Sequence, residues 1–335
     1  MTCLPTPPLA DLLDSAHVVR IPMRTRFRGL AVRESVLVHG PAGWGEFGPF
    51  PEYADVEAAR WLAAAIEAAW SGHPAPVREV VPVNATVPAL GADQVPEVLA
   101  RFPGTTTAKV KVAEAGQSIE DDVARVAAAR DVLGASGRIR VDANGAWDVD
   151  QALDAIEALA RYDLEYVEQP CASVDELASV RRHLARSGRD VRIAADESIR
   201  RAEDPELVRR HGAADVMVVK VAPLGGVRAA VEVIERVGLP AVVSSAIDTS
   251  VGITAGVALA ASLPDLPFAC GLGTVALLDG DVVTDSALPE GGVLRAGRTL
   301  HVDPALIEQY AAPTDRTTWW TDRLTRCHAV LAGRS

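Results

Sequence analysis

TAKVKVA, residues 107–113, is a short β-forming run in which Thr107, Lys109 and Lys111 occupy alternate positions. Side chains alternate across a strand, so the two lysines share one face, about 7 Å apart at Cα, while Val110 turns to the other. Working outward, similar runs recur at intervals of roughly 25 to 30 residues. VVPVNATV (80–87) precedes it, and RIRVDAN (138–144), LEYVEQP (164–170), VRIAADES (191–198), DVMVVKVA (215–222), PAVVSSA (240–246) and PFACGLG (267–273) follow. Between them lie segments such as SIEDDVARVAAARDVLG (118–134) and DVDQALDAIEALARY (148–162), with apolar residues at helical spacing. Ser118 and Asp148 stand at the expected N-caps, and Gly134, Gly188 and Gly238 fall just past helix ends. Strands alternating with helices predict a parallel sheet, and eight of them close most simply into a barrel. Turn-rich sequence follows the last run. The expectation is therefore an α/β protein whose residues 81–274 form a (β/α)7β TIM-like barrel, with seven helices rather than eight.

Residues 1–80 have a different texture. HVVRIPMRTRFRGLAVRESVLVHGPAGWGEFGPF (17–50) reads as antiparallel strands and turns, and EYADVEAARWLAAAIEAAW (52–70) as one or two helices. This predicts an N-terminal α+β capping domain. Residues 275–335 carry short strand and turn signals, among them GGVL and GRTLHVD, and are expected to return to the cap and complete it.

The composition narrows the function. A chain of 335 residues, 49% hydrophobic, can bury a sizeable core. Its net charge of −12 argues against a nucleic-acid partner, which requires a concentrated basic face, and favours a small-molecule substrate. Cys3, Cys171, Cys270 and Cys327 are scattered with no C-x-x-C pair, as expected of reduced thiols. The opening MTCLPTPPLADLLDSAHVVR lacks the basic and apolar regions of a signal peptide, and no run approaches the roughly 20 apolar residues of a membrane span. A cytoplasmic protein, with no membrane partner and either monomeric or homo-oligomeric, is the expectation.

Of 33 lysines and arginines, only Lys109, Lys111 and Lys220 are lysine. Codon bias toward arginine accounts for the general loss, but it cannot easily replace a lysine that must give up its proton, because guanidinium stays charged. Catalytic groups of a barrel collect at the C-terminal ends of its strands. Here strand two ends in Lys109-Val-Lys111, strand three in Asp142-Ala-Asn144, strand four in Glu168-Gln-Pro and strand five in Asp196-Glu197-Ser198, while strand six carries Lys220. Asp142, Glu168 and Asp196 offer three hard oxygen ligands, a set that suits Mg2+, with Mn2+ able to substitute. Glu197 is expected to point the other way along its strand. Repulsion between Lys109 and Lys111, with a metal nearby, is expected to lower a lysine pKa from about 10.4 toward 7 or 8.

With KVK, VDAN, VEQP, ADES and VVKVAPLGG in this order, the chain resembles the enolase superfamily, in its muconate-lactonizing subgroup, over essentially its whole length. FRGLAVRE and GWGEFGPFPEY of the cap resemble the aromatising dehydratases of that subgroup, which serve bacterial menaquinone biosynthesis. The resemblance implies a small-molecule carboxylate substrate and Lys111 as the base that takes its α-proton. It implies Lys220 as the cation on the opposite face and Lys109 as a neighbour that tunes Lys111. A lysine or histidine base, with Mg2+ stabilising an ene-diolate, is general to this superfamily. Asn144, Ser245 and Gly271, with Arg24, Arg26 or Phe50 from the cap, are candidates for substrate contact. A racemase of N-acylamino acids or a dipeptide epimerase could use the same lysines and carboxylates. Such epimerases carry Asp-x-Asp at the last strand, where this chain reads Cys270-Gly-Leu-Gly273. A mandelate-racemase-like enzyme needs a histidine near strand seven, absent from VVSSAIDTS, and a catalytically silent barrel has no reason to keep these groups.

Overall fold

A computed structural model describes residues 6–27, 29–200 and 204–333; Cys3, and Arg28 of the cap motif, lie outside them. A short helix, α1 (Leu9–Asp14), leads into three antiparallel strands, β1 (His17–Phe27), β2 (Leu30–Gly40) and β3 (Gly43–Phe47). Burial alternates along the second half of β1. Ile21 and Phe27 turn inward, and Arg24 and Arg26 turn out. The alanine-rich stretch folds as α2 (Asp55–Ile66) and runs on into one π-helical turn at Glu67–Ser71.

The βα rhythm then follows as expected. The strands are β4 (Val80–Pro82), β5 (Ala85–Val87), β6 (Thr107–Lys111), β7 (Arg138–Asp142), β8 (Leu164–Glu168), β9 (Ile193–Ala195), β10 (Val216–Lys220) and β11 (Ala241–Ser244). The intervening helices are α3 (Val95–Ala100), α4 (Ile119–Leu133), α5 (Val149–Leu159), α6 (Val174–Arg186), the short α7 (Glu197–Arg200) and α8 (Leu207–Arg210), α9 (Val221–Leu224) with α10 (Val227–Val237), and α11 (Ser250–Ser262). Strands β5 to β11 form one parallel sheet in chain order. Ser118 and Asp148 cap α4 and α5 as expected, and Ser173 caps α6, each in a reciprocal box with the third residue of its helix. Each box satisfies two backbone N–H groups that the helix itself leaves open.

Two strand expectations are corrected. The run 80–87 breaks at Val83-Asn84, so that β4 leaves the barrel sheet and pairs antiparallel with β12 (Val293–Arg295). The run 267–273 forms two single bridges rather than a strand, because Pro267 has no N–H to donate and the chain turns again at Gly273. Those bridges still join the two edges of the sheet. Cys270 N donates to Pro82 O (2.7 Å) and Cys270 O accepts from Asn84 N (2.9 Å), while Gly271 N donates to Val243 O (2.8 Å) and Gly271 O accepts from Ser245 N (3.1 Å). The approach requires glycine, since a Cβ on residue 271 would lie 2.6 Å from Ser244 Oγ.

Residues beyond 275 contain more helix than their turn signals suggested: α12 (Pro304–Gln309) and the long α13 (Thr314–Ala332). The signal was present in Trp320, Leu324 and Cys327, buried at helical spacing. Trp320 stands edge-on to Phe47, with ring centroids 5.9 Å apart, and its indole N–H donates to Glu34 Oε2 (2.9 Å). Arg323 Nη2 donates to the carbonyls of Phe50 (3.1 Å) and Tyr53 (2.5 Å). A second tie runs from β3 to the barrel: the buried Glu46 accepts from Thr249 Oγ1 (2.6 Å) and Gly252 N (2.9 Å), where the N-terminus of α11 favours negative charge. Burial, and then the Asp248 charge beside it, push Glu46 up to about 7 against the pull of Arg33 and Thr249. Among the described residues no helix is long and apolar enough to cross a membrane.

Two outcomes are expected from this packing. Trp320→Ala should lower the unfolding free energy by about 3–5 kcal/mol, read from urea titrations, since it empties a fully buried site and removes a hydrogen bond. Glu46 binds its proton more tightly folded than unfolded, so the stability it contributes is complete below its ordinary pKa of 4.5 and is lost as pH rises toward about 7. Urea midpoints of wild type should therefore fall relative to those of Glu46→Gln across that window. Parallel midpoints would show that Glu46 ionises freely in the fold.

Candidate active site

Strand β6 is buried along its whole length, and alternation points both of its lysines into the barrel. Its register aligns Lys111 with Asp142 on β7, and Asp142 with Glu168 on β8, so three charged groups arrive at one level from three adjacent strands. Lys109 Nζ donates to Asp142 Oδ2 (3.0 Å) and Glu168 Oε1 (2.9 Å). Lys111 Nζ donates to Asp142 Oδ2 (2.5 Å) and Asn144 Oδ1 (2.5 Å) and stands 5.4 Å from the centre of the Phe27 ring. Its own carbonyl accepts from the buried Arg125, Nη1 to O 2.8 Å, which anchors the strand end from outside. Across the barrel, Lys220 Nζ donates to Asp196 Oδ2 (2.6 Å), and Arg200 Nε to Asp196 Oδ1 (3.0 Å).

Backbone turns set these carboxylates. Asn144 (φ 49°) and Gln169 (φ 40°) both adopt left-handed conformations two and one residues past Asp142 and Glu168, turning the chain out of the barrel. The Gln169 side chain is fully buried, and its Oε1 accepts from the backbone N–H of Asp196 (3.0 Å) and of Ser198 (3.2 Å). It thereby fixes the turn that presents Asp196.

The charges balance differently from the expectation of two repelling lysines. Burial disfavours the Lys109 ammonium, yet Asp142 and Glu168 outweigh it and raise its pKa well above the usual lysine value. Lys220 moves the other way: burial lowers it, Arg200 adds to the lowering, and Asp196 only partly opposes. Asp142 and Asp196 are held below the usual carboxylate range, against burial, by their lysines and by Arg200. Burial and the neighbouring Asp142 push Glu168 up to about 7.

One cavity unites the lysines with residues of the cap. Its lining includes Lys109, Lys111, Asp142, Asn144 and Lys220, with Ser245, Ala246, Ile247 and Gly271 from the end of the sheet, and Phe27, Phe50, Tyr53 and Trp61 from the cap. Ser245 Oγ donates to Gly271 O (2.7 Å) and shares a hydrogen bond with Thr274 Oγ1 (2.8 Å). Arg24 and Arg26 do not reach it. They occupy outward positions of β1, where Arg24 donates to Leu278 O (2.9 Å) and Arg26 to Gly29 O (3.0 Å). Phe27 enters instead, as the alternation in MRTRF indicates once the strand is assigned. Glu197 is also corrected. β9 ends at Ala195, so Glu197 opens α7 and turns toward the site, accepting from Arg200 Nη2 (2.6 Å) and Asn144 Nδ2 (3.3 Å). Arg200, missed in the sequence, also donates to Tyr53 Oη (3.2 Å), and its only sequence signal is its place one helical turn after Asp196.

The three carboxylates fit a divalent cation in chemistry, being hard oxygen donors with no thiolate or imidazole in the cavity lining. In this conformation ammonium groups take one oxygen of each carboxylate, and no three acidic, His or Cys groups among the described residues form a ready coordination shell. Glu168 Oε2 is nevertheless buried without a hydrogen-bond partner, an open acceptor among the three carboxylates.

Comparison with known proteins bears on the family and the fold. A family model described as "Enolase C-terminal domain-like" matches residues 92–303, and one described as "Enolase N-terminal domain-like" matches residues 18–69. The o-succinylbenzoate synthase of Thermobifida fusca (strain YX) is 59% identical over 92% of this chain and 95% of the relative. That of Mycolicibacterium smegmatis is 55% identical over 97% of this chain and 98% of the relative. Among solved structures, muconate lactonizing enzyme from Pseudomonas fluorescens complexed with muconolactone shares the fold, with a TM-score of 0.74 at 21% identity over 89% of this chain and 98% of that one. The chain therefore belongs to the enolase superfamily and, within it, to the o-succinylbenzoate synthases.

Proposed function

We propose that this dehydratase converts 2-succinyl-6-hydroxy-2,4-cyclohexadiene-1-carboxylate to 2-succinylbenzoate and water, a step of menaquinone biosynthesis, in the cytoplasm. The observation that carries the reading is that Lys111 on β6 and Lys220 on β10, strands on opposite sides of the barrel, face a single cavity closed by the cap. Asp142, Glu168 and Asp196 would hold Mg2+, or Mn2+ in its place. Bound there, the cation offsets the second negative charge that develops on the substrate carboxylate as its α-proton leaves.

The remaining work belongs to side chains. Lys111 in its free-amine form takes the α-proton, and the C–H electron pair moves into the ene-diolate. The same ammonium then protonates the hydroxyl leaving from the adjacent carbon, so both events occur on one face and the ring becomes aromatic without net oxidation. Lys220, charged and on the opposite face, stabilises the ene-diolate and the forming ring by its field and by cation–π contact. Lys109, held as an ammonium between Asp142 and Glu168, offsets their charge beside the base and faces the substrate carboxylate. Phe27, Phe50 and Ile247 would enclose the ring and the succinyl tail, with Ser245 and Gly271 at its far end. The division into a cap (1–80), a barrel (81–274) and a returning segment (275–335) belongs to the same proposal. The racemase and epimerase readings are not favoured: the relatives at 55–59% identity are o-succinylbenzoate synthases, and Cys270 and Gly271 offer no carboxylate for the free ammonium of a dipeptide.

Purified enzyme with Mg2+ should aromatise the cyclohexadiene substrate, followed by absorbance. Racemisation of N-succinylamino acids without aromatisation would reject the reading. Lys111→Ala and Lys220→Ala should each lower turnover by about 10²–10⁴-fold or more while circular dichroism and calorimetric metal titration stay near those of wild type; near-normal turnover in either variant rejects its role. Chelation by EDTA should abolish turnover, and added Mg2+ or Mn2+ should restore it.

A further inference from the structure

We infer that Arg33 is a positioning residue for the dehydration: from the cap it holds the loop after β11 in a strained backbone conformation that sets Ile247 against the substrate cavity. The substrate in this inference is that of the reading above; the geometry stands independently of it.

Arg33 lies on β2, yet only 2% of its surface is exposed, because its side chain reaches across the cap into the barrel mouth. Its Nε donates to Ile247 O (3.0 Å), Nη1 to Glu34 O (3.0 Å) and Nη2 to Gly48 O. The guanidinium also lies 4.9 Å from the centre of the Phe50 ring and 3.9 Å from Asp248 Oδ1. Residue 48 must be glycine for this reach, since a Cβ there would stand 2.7 Å from Nη2. A planar fork with donors on two edges can bond carbonyls in several directions at once, which an ammonium on a flexible stem cannot reproduce.

The partner in the barrel is unusual. Ile247 has φ +63°, in the left-handed region that a β-branched side chain rarely enters. Such a conformation persists only where surrounding contacts over-determine it. Here the Arg33 bond to the Ile247 carbonyl does so from one side, and Asp248 Oδ2, accepting from Ala246 N (3.0 Å), closes the loop from the other. Ala246, Ile247 and Phe50 all line the cavity that holds Lys111 and Lys220. One buried guanidinium thus ties a wall donated by the cap to a wall donated by the barrel. Thr249 and Gly252 keep their own hydrogen bonds to Glu46, whose charge Arg33 also attracts, so α11 retains a tie to β3 when the Arg33 bond to Ile247 is lost.

The test is a double-mutant cycle of Arg33→Met with Ile247→Gly, because glycine adopts φ +63° without strain and no longer needs the arginine. With Ile247 present, Arg33→Met should lower kcat/KM by roughly 10–100-fold, in the range expected of a misplaced substrate wall. In the Ile247→Gly background the same change should cost about fivefold or less. Equal losses in both backgrounds, or near-normal turnover of Arg33→Met, overturn the inference. If Arg33→Met does not fold, Arg33→Lys, which keeps the charge and loses the fork, takes its place in the cycle. Amide exchange supplies a readout independent of the substrate: residues 245–249 should exchange about tenfold faster in the arginine variant while β6 to β9 remain unchanged. Unchanged exchange at 245–249 also overturns it. Wild type that fails to dehydrate, in company with a loosened loop in the variant, rejects the assigned reaction and leaves the positioning role intact.

Discussion

Three carboxylates and three ammonium groups, all buried but for the partly exposed Lys220, stand at one end of a barrel and are the constraint around which the molecule is arranged. Taking such charges out of water costs several kcal/mol for each ion, and their mutual attraction repays this only with close geometry. The geometry is close: Asp142, Glu168 and Asp196 each lie within 3.0 Å of a lysine nitrogen. A hydrophobic plug would serve stability as well. On the proposed reading the lysines would release oxygens of Asp142, Glu168 and Asp196 to a divalent cation, and Glu168 Oε2, buried without a hydrogen-bond partner, would offer it an open acceptor.

The two cationic residue types divide the work. Every lysine of the chain faces the cavity, where a proton can be given up or a compact charge presented. The buried arginines join backbone segments instead. Arg33 binds cap carbonyls to the loop after β11, Arg125 holds the carbonyl of Lys111, Arg323 binds the cap to α13, and Arg140 fills the barrel interior between Tyr166 and Phe268. Arg200 stands between these roles, holding Asp196 and Glu197 while meeting Tyr53 of the cap. Bias toward arginine thus coexists with a chemical reason for each lysine that remains.

The cap does more than cover the barrel. Phe27, Phe50, Tyr53 and Trp61 provide an apolar side to a cavity whose floor carries the charges of Lys109, Lys111, Asp142 and Lys220. An apolar wall against a charged floor lowers the local dielectric and strengthens the electrostatic stabilisation on which the proposed proton abstraction depends.

Much was legible before folding. Period-two runs, N-cap serines and aspartate, and helix-ending glycines are local signals, so the barrel rhythm and the strand-end order of Lys109, Lys111, Asp142, Glu168, Asp196 and Lys220 could be read from neighbours along the chain. Non-local contacts decided the rest. Whether Arg26 or Phe27 enters the cavity depends on the pairing phase of β1 with β2, and the eighth run closes the sheet only at Cys270 and Gly271, where Pro82 and Val243 arrive from distant parts of the chain. The direction of the lysine shifts was likewise tertiary: spacing along β6 places two ammonium groups together, but only the barrel brings the carboxylates that outweigh their repulsion at Lys109. Sequence by itself determined which chemical groups reach the ends of the strands, because alternation and strand order are local. Tertiary structure decided what each group faces, because burial, charge balance and the strained turn at Ile247 exist only where separate segments meet.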